Sequence, residues 1–204
     1  MARFRMLGVF EDAGQRDFLL GICDEIGMGS GIEITPEPLL TRGCRHGELV
    51  DAARAAPAYD GLLIGIDGGG HGGPEKIESL THVLRRAGIG TEGANLLWCV
   101  AEPSIEEWIV ADPAAFPAVL RQRGFAVQRA KRPTKPRNEG RAKSNLREWT
   151  ERLIGHRLLR NGLEYARDVG RATRLERIAR RRNPDLCRVF ERLDRFLRPR
   201  EARN

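Results

Sequence analysis

No stretch of this sequence approaches the roughly 20 consecutive apolar residues that span a bilayer, so a helical membrane protein is not expected. The opening MARFRMLGVFED runs straight into strand-like sequence and lacks the layout of a signal peptide, which leads to the expectation of a soluble cytoplasmic protein. The four cysteines (Cys23, Cys44, Cys99, Cys187) are scattered with no CxxC spacing and read as reduced core or surface thiols. Cys44 and His46 stand two apart, but no second Cys/His pair accompanies them, so a zinc site is not expected. No GxxxxGK[ST] P-loop is present to support nucleotide-driven phosphoryl chemistry, and no internal repeat is visible.

What is present is unevenly spread charge. The chain of 204 residues is 41% hydrophobic and 31% charged, enough for one generous domain or a domain with a smaller appended unit. Residues 1–120 carry nine basic against eighteen acidic side chains, a net charge of −9; residues 121–204 carry twenty-six against ten, or +16. Such asymmetry suggests a basic surface for a polyanion beside a more acidic unit. The plain alternative is a set of arginine-rich helix faces that balance the acidic half.

Hydrophobic periodicity alternates along the first part of the chain. RFRMLGVF (3–10), GIEIT (31–35, closed by Pro36 and Pro38), YDGLLIGID (59–67) and ANLLWCVA (94–101) read as strands. Between them, 13–27, 47–56 and 74–88 read as helices, and 104–124 as one or two short ones. Repeated strand–helix units argue for an α/β fold with a mostly parallel sheet flanked by helices. QRAKRPTKPRNEGRAKS (128–144) has few apolar residues and reads as a mobile loop or linker. Beyond it the sequence reads as helix interrupted near Asn161-Gly162, with Thr173 placed to cap RLERIARRR and a terminal helix over 183–197. The division is an α/β domain (1–124), a basic Pro/Lys/Arg-rich loop or linker (125–145) and a basic α-helical C-terminal region (146–204) packed on the domain.

Ligand sites in parallel α/β sheets gather outside the carboxyl ends of the strands. Glu11, Asp67 and Glu102 fall there, and Glu106 follows shortly after the fourth strand. Carboxylates drawn together from separate strands are a usual means of holding Mg²⁺, which prefers hard oxygen ligands. A metal beside a phosphodiester polarises it and lowers the pKa of a bound water, while a neighbouring carboxylate transfers protons. Asp12 and Glu107 read as helix caps or loop acids, and Asp112 as a cap for PAAFPAVL.

The order strand–Glu11–helix, then strand–Asp67 with glycines, resembles the Toprim fold of topoisomerases, bacterial primases and overcoming-lysogenization-defect nucleases. More closely, AEPSIEEWIVADP followed by ARDVGRATRLERIARRRNPDLCRVFERLDRFL resembles a Toprim-like bacterial family whose members often stand beside ATPases in phage-defence loci. The resemblance covers nearly the whole chain. It implies a general acid or base in Glu11, a Mg²⁺ (or Mn²⁺) ligand in Asp67, and a further metal ligand in Glu106, which precedes Trp108. The chain departs from the pattern where Toprim proteins carry a second aspartate, because Gly69 stands there; His71 is the nearby substitute.

The basic residues Arg129, Lys131, Arg132, Lys135, Arg137, Arg141 and Lys143 are candidate phosphate contacts, with Trp149 or Trp108 as a stacking surface and Trp108 better suited to the core. Two functions follow. One is a Mg²⁺-dependent Toprim-type nuclease; the other is a non-catalytic module of the same fold that binds nucleic acid or protein. Expected partners are DNA or RNA, with an ATPase protein and a second copy of the chain (a homodimer) as further candidates.

Overall fold

The structure, a computed structural model, describes residues 3–30, 33–40, 46–69, 73–90 and 96–197. Four strands, β1 (Arg3–Phe10), β2 (Glu33–Leu40), β3 (Gly61–Asp67) and β4 (Leu96–Ala101), form one sheet in the order β2-β1-β3-β4 with every pair parallel. The helices between them are α1 (Ala13–Ser30), α2 (His46–Ala55) and α3 (Gly73–Arg86). The apolar run of β3 is explained by its place: a central strand with helices over both faces needs hydrophobic side chains on each.

The two faces carry separate cores. Leu7, Val9, Leu62, Ile64 and Ile66 cluster with Leu49 and Ala52 of α2 and with Leu80 and Leu84 of α3. Met6, Phe10, Leu63, Leu97 and Cys99 cluster with Phe18, Leu19 and Ile22 of α1 and with the C-terminal helices. Those helices are α4 (Ile105–Ile109), α5 (Ala115–Gln122), α6 (Glu139–Ile154), α7 (Ala166–Ala172) and α8 (Pro184–Leu197). Leu186, Val189, Phe190 and Leu193 make one buried stripe on α8, at the spacing expected of a helix laid on a core. Each such side chain, fully buried, contributes about 1.5–3 kcal/mol.

Several boundaries differ from the sequence reading for identifiable reasons. β2 runs through Pro36 and Pro38 to Leu40 because it is an edge strand; two prolines two residues apart fall on one row of backbone groups, and an edge needs only the other row. α1 continues past Gly27 and Gly29 to Ser30. α6 stops at Gly155, whose φ of 77° closes the helix, well before Asn161-Gly162. Thr173 ends α7 instead of starting a helix: its hydroxyl donates to Val169 O at 2.7 Å, and a short turn (Leu175–Arg177) follows. Segment 125–138 has no regular secondary structure, as expected of a loop, and it is tied to the helical region: Gln128 N donates to Leu153 O at 2.7 Å and Asn145 Nδ2 to Thr134 O at 2.9 Å.

α1 and α7 meet through glycines. A Cβ on Gly21 would lie 2.1 Å from Arg167 O, and one on Gly170 would lie 2.2 Å from Phe18 O. Both obstacles are backbone atoms of helices, so neither can move aside cheaply. Gly21→Ala and Gly170→Ala are each expected to lower unfolding free energy by about 1–3 kcal/mol in urea titrations. Gly47, whose Cβ would meet nothing within 4 Å, serves as the control: Gly47→Ala should be neutral or stabilising by about 0.5–1 kcal/mol.

Candidate functional site

The chain reverses its direction of strand addition between β1 and β3, which makes their carboxyl ends the switch point where parallel α/β sheets place ligands. Glu11 leaves the end of β1 and Asp67 closes β3. They touch: Asp67 N donates to Glu11 Oε2 at 2.9 Å. Lys76, in the first turns of α3, places Nζ 2.7 Å from Glu11 Oε2 and 2.8 Å from Asp67 O. Asp67 Oδ1 accepts from Gln15 Nε2 at 2.6 Å and from Ile105 N at 3.0 Å. Glu106, next to Ile105, is almost wholly buried and accepts from Ser104 Oγ at 2.7 Å. The structure therefore brings Glu11, Asp67 and Glu106 to one edge of the sheet.

Burial and crowding of like charge set the electrostatics. The Asp67 carboxyl is pushed up to about 8, first by burial, then by Asp12; the Gln15 amide pulls it back, while Glu106 and Glu11 add to the rise. Glu106 is raised by burial, eased by the Ser104 hydroxyl, by its own backbone N–H and by the charge of Lys143. Glu102 is raised by burial, eased by Gly73 N–H and, after a rise from Asp185, by Lys135. The last relation explains one of the glycines. A Cβ on Gly68 would meet Glu102 Oε2 at 1.9 Å, so a side chain there would displace the Glu102 carboxylate from its 3.2 Å bond with Gly73 N. Gly69 has a φ of 65°, a left-handed turn that glycine adopts freely.

The other expected residues separate into groups. His71 lies outside the described residues. Arg129, Lys131, Lys135, Arg137, Arg141 and Lys143 are exposed. Arg132 points inward instead, with NH2 3.3 Å from Asn183 Oδ1 and Nε buried without a partner; burial and then Arg182 pull its pKa down to about 10. Neither tryptophan is a stacking surface. Trp108 packs on Phe18 and Trp149 on Phe116, each pair at 5.7 Å, and both are buried. Asp112 is not the cap of α5, whose N-cap is Ala114; it accepts from Ala114 N at 2.9 Å in the turn before the helix and is buried against Arg177 Nε at 3.0 Å. Glu107 is no loop acid: it is buried and clamped by Arg182 through two bonds, at 2.6 and 3.0 Å.

Sequence reading missed Lys76 and Gln15. Both stand in the first turns of helices that follow a strand-end acid, the place from which a side chain can turn back over the sheet edge. The absence of a GxGxxG fingerprint, expected from the sequence, is also corrected: Gly68, Gly70 and Gly73 have that spacing between β3 and α3, a pattern used for dinucleotides. Here the backbone N–H of Gly73 that would face an anion already holds the Glu102 carboxylate.

Carboxylate oxygens are the kind of ligand a hard divalent ion takes. Asp67 Oδ2 and Glu11 Oε1 accept no hydrogen bond from described residues, and the raised Asp67 carboxyl marks a place where added positive charge is stabilising. The arrangement as it stands gives that role to Lys76, and among the described residues no three His, Cys, Asp or Glu side chains surround one point. Comparison of the chain with protein-family models, with curated proteins and with solved structures returned no match.

A raised acid favours the folded state in its protonated form, so this contribution is complete below the unfolded value and is lost as pH rises toward the folded one. Unfolding free energy should fall between about pH 4 and pH 8, with Asp67 supplying a slope of at most about 1.4 kcal/mol per pH unit. Asp67→Asn should flatten that slope in denaturant titrations at pH 5.5 and 8. An unchanged slope would show that Asp67 titrates normally.

Proposed function

We propose that the chain is a Toprim-type, Mg²⁺- or Mn²⁺-dependent nuclease acting on phosphodiester bonds of nucleic acid. The observation that supports it is the meeting of Glu11 and Asp67 across the switch point, with Glu106 beside them on the loop and helix after β4. Asp67 and Glu106 would hold the ion, and Glu11 would move the proton. The ion when bound polarises the phosphate and lowers the pKa of water. Gln15 and Ile105 N fix Asp67 Oδ1, so the second oxygen is the one presented to the edge. Lys76 holds Glu11 at the strand end, and its ammonium would also offer a positive charge to a phosphate placed there. Resemblance to families that accompany ATPases in phage-defence loci adds an ATPase partner to this reading.

The second reading is a Toprim-like module that binds nucleic acid or a partner protein without chemistry. Two observations favour it: Gly69 stands where the family has a second aspartate, and Lys76 already neutralises Glu11. Cleavage of supercoiled plasmid and of single-stranded DNA and RNA in Mg²⁺ or Mn²⁺ separates the two. The nuclease reading expects Glu11→Gln and Asp67→Asn each to slow cleavage by at least about 100-fold. Absence of cleavage by the wild type, with salt-sensitive nucleic-acid binding retained in both variants, would mean a binding module whose chemistry is gone or needs its partner, and repeating the assay with the ATPase separates those two.

A further inference from the structure

Segment 125–138 has no ladder or helix of its own, yet side chains and backbone from elsewhere fix it along its length. Gln128 N donates to Leu153 O at 2.7 Å, Trp149 Nε1 to Ala130 O at 3.4 Å, Arg182 to Pro133 O at 2.6 Å and Asn145 Nδ2 to Thr134 O at 2.9 Å. Pro133 and Pro136 are buried and Ala130 and Arg132 half-buried, so one side of this extended segment faces the protein. The residues left facing outward include Arg129, Lys131, Lys135 and Arg137. None of these four forms an ion pair with a described residue.

The rest of the basic half uses many of its arginines differently. Arg167 and Arg171 pair with Asp24, Arg174 with Glu25, Arg177 with Asp112, Arg180 with Glu191 and Arg182 with Glu107. Arg132, though on the same strap, is turned inward to Asn183. These cations are thus held on an anchored extended ridge that lies beside α4: Arg182 bonds both Pro133 O and the Glu107 carboxylate of that helix, and Ile105 N at the start of the same helix bonds Asp67. Residues 129–148 contain no aromatic side chain, and Trp149 is buried. Seats for single strands stack bases on exposed rings, whereas seats for duplexes can rely on phosphate contacts alone.

We propose that the strap 129–137 seats one backbone of double-stranded nucleic acid, with phosphates on Arg129, Lys131, Lys135 and Arg137, and leads it to the Glu11–Asp67 edge. This names the substrate class and its path and rests on the phosphodiester reading of that edge. Because the strap is ordered by its own anchors, binding does not have to order it again, which favours affinity.

The test is binding of the full chain to labelled 20-base-pair DNA and RNA duplexes and to the matching single strands, in EDTA, across a salt series. At least one duplex is expected to bind more tightly than the single strands. Joint replacement Lys131→Gln, Lys135→Gln and Arg137→Gln should flatten the slope of log K against log salt by about 2–3 and weaken duplex binding at least about tenfold at 0.1 M salt. Arg132→Gln should lower Tm and leave the slope unchanged, because that guanidinium faces inward. Single strands binding as tightly as both duplexes, or an unaltered slope in the triple variant, overturns the proposal. A flattened slope together with no cleavage in Mg²⁺ or Mn²⁺ upholds the strap while removing the catalytic reading of the acid edge.

Discussion

The end of β3 is held by one residue whose polar groups each bind a different element. The carboxylate of Asp67 takes the Gln15 amide from α1 and the Ile105 N–H from α4; its backbone N–H goes to Glu11 after β1, and its carbonyl to Lys76 on α3. A buried polar group left without a partner costs about 1–3 kcal/mol, so four elements are obliged to keep their places around this residue. The edge of the sheet is consequently a fixed arrangement and not a set of loops that happen to be near one another. Any ligand there meets a shape settled during folding.

The charge asymmetry of the sequence is partly offset within the molecule. Acids of the first half and arginines of the second meet at Asp24, Glu25, Glu107 and Asp112. The exposed members of this set contribute about 0–1 kcal/mol each. Glu107 and Asp112 differ, because both are buried and removing a partner would leave a charge without solvent. The plain account of the basic half, arginine faces that balance an acidic unit, therefore describes many of its arginines, and the strap stands out against it.

The strand–helix alternation was legible because each element carries its own period, and because an acid directly after an apolar run marks a strand's carboxyl end. Glu11 and Asp67 could be named on that ground alone. What could not be read depends on which element lies next to which. The prolines of β2 are tolerated only because the strand is at an edge, a fact of sheet order. Arg132 and Arg137 are alike in sequence, and only the tertiary contact with Asn183 separates the one that faces in from the one that faces out. Lys76 and Gln15 needed the loops to bring their helices over the strand ends. Gly21 and Gly170 look like helix-weakening residues until α1 and α7 are laid together.

That last contact bears on how the chain is made. α1 leaves the ribosome early, but the surface that covers its Gly21 side belongs to α7, far along the sequence. At translation rates of about 5–20 residues per second, roughly ten seconds pass between the two. During that interval the first strands can pair while Phe18 and Ile22, later buried, lack part of their cover. The newborn sheet thus keeps apolar surface open until its own C-terminal region arrives, and a ribosome pause before α7 would lengthen the exposure.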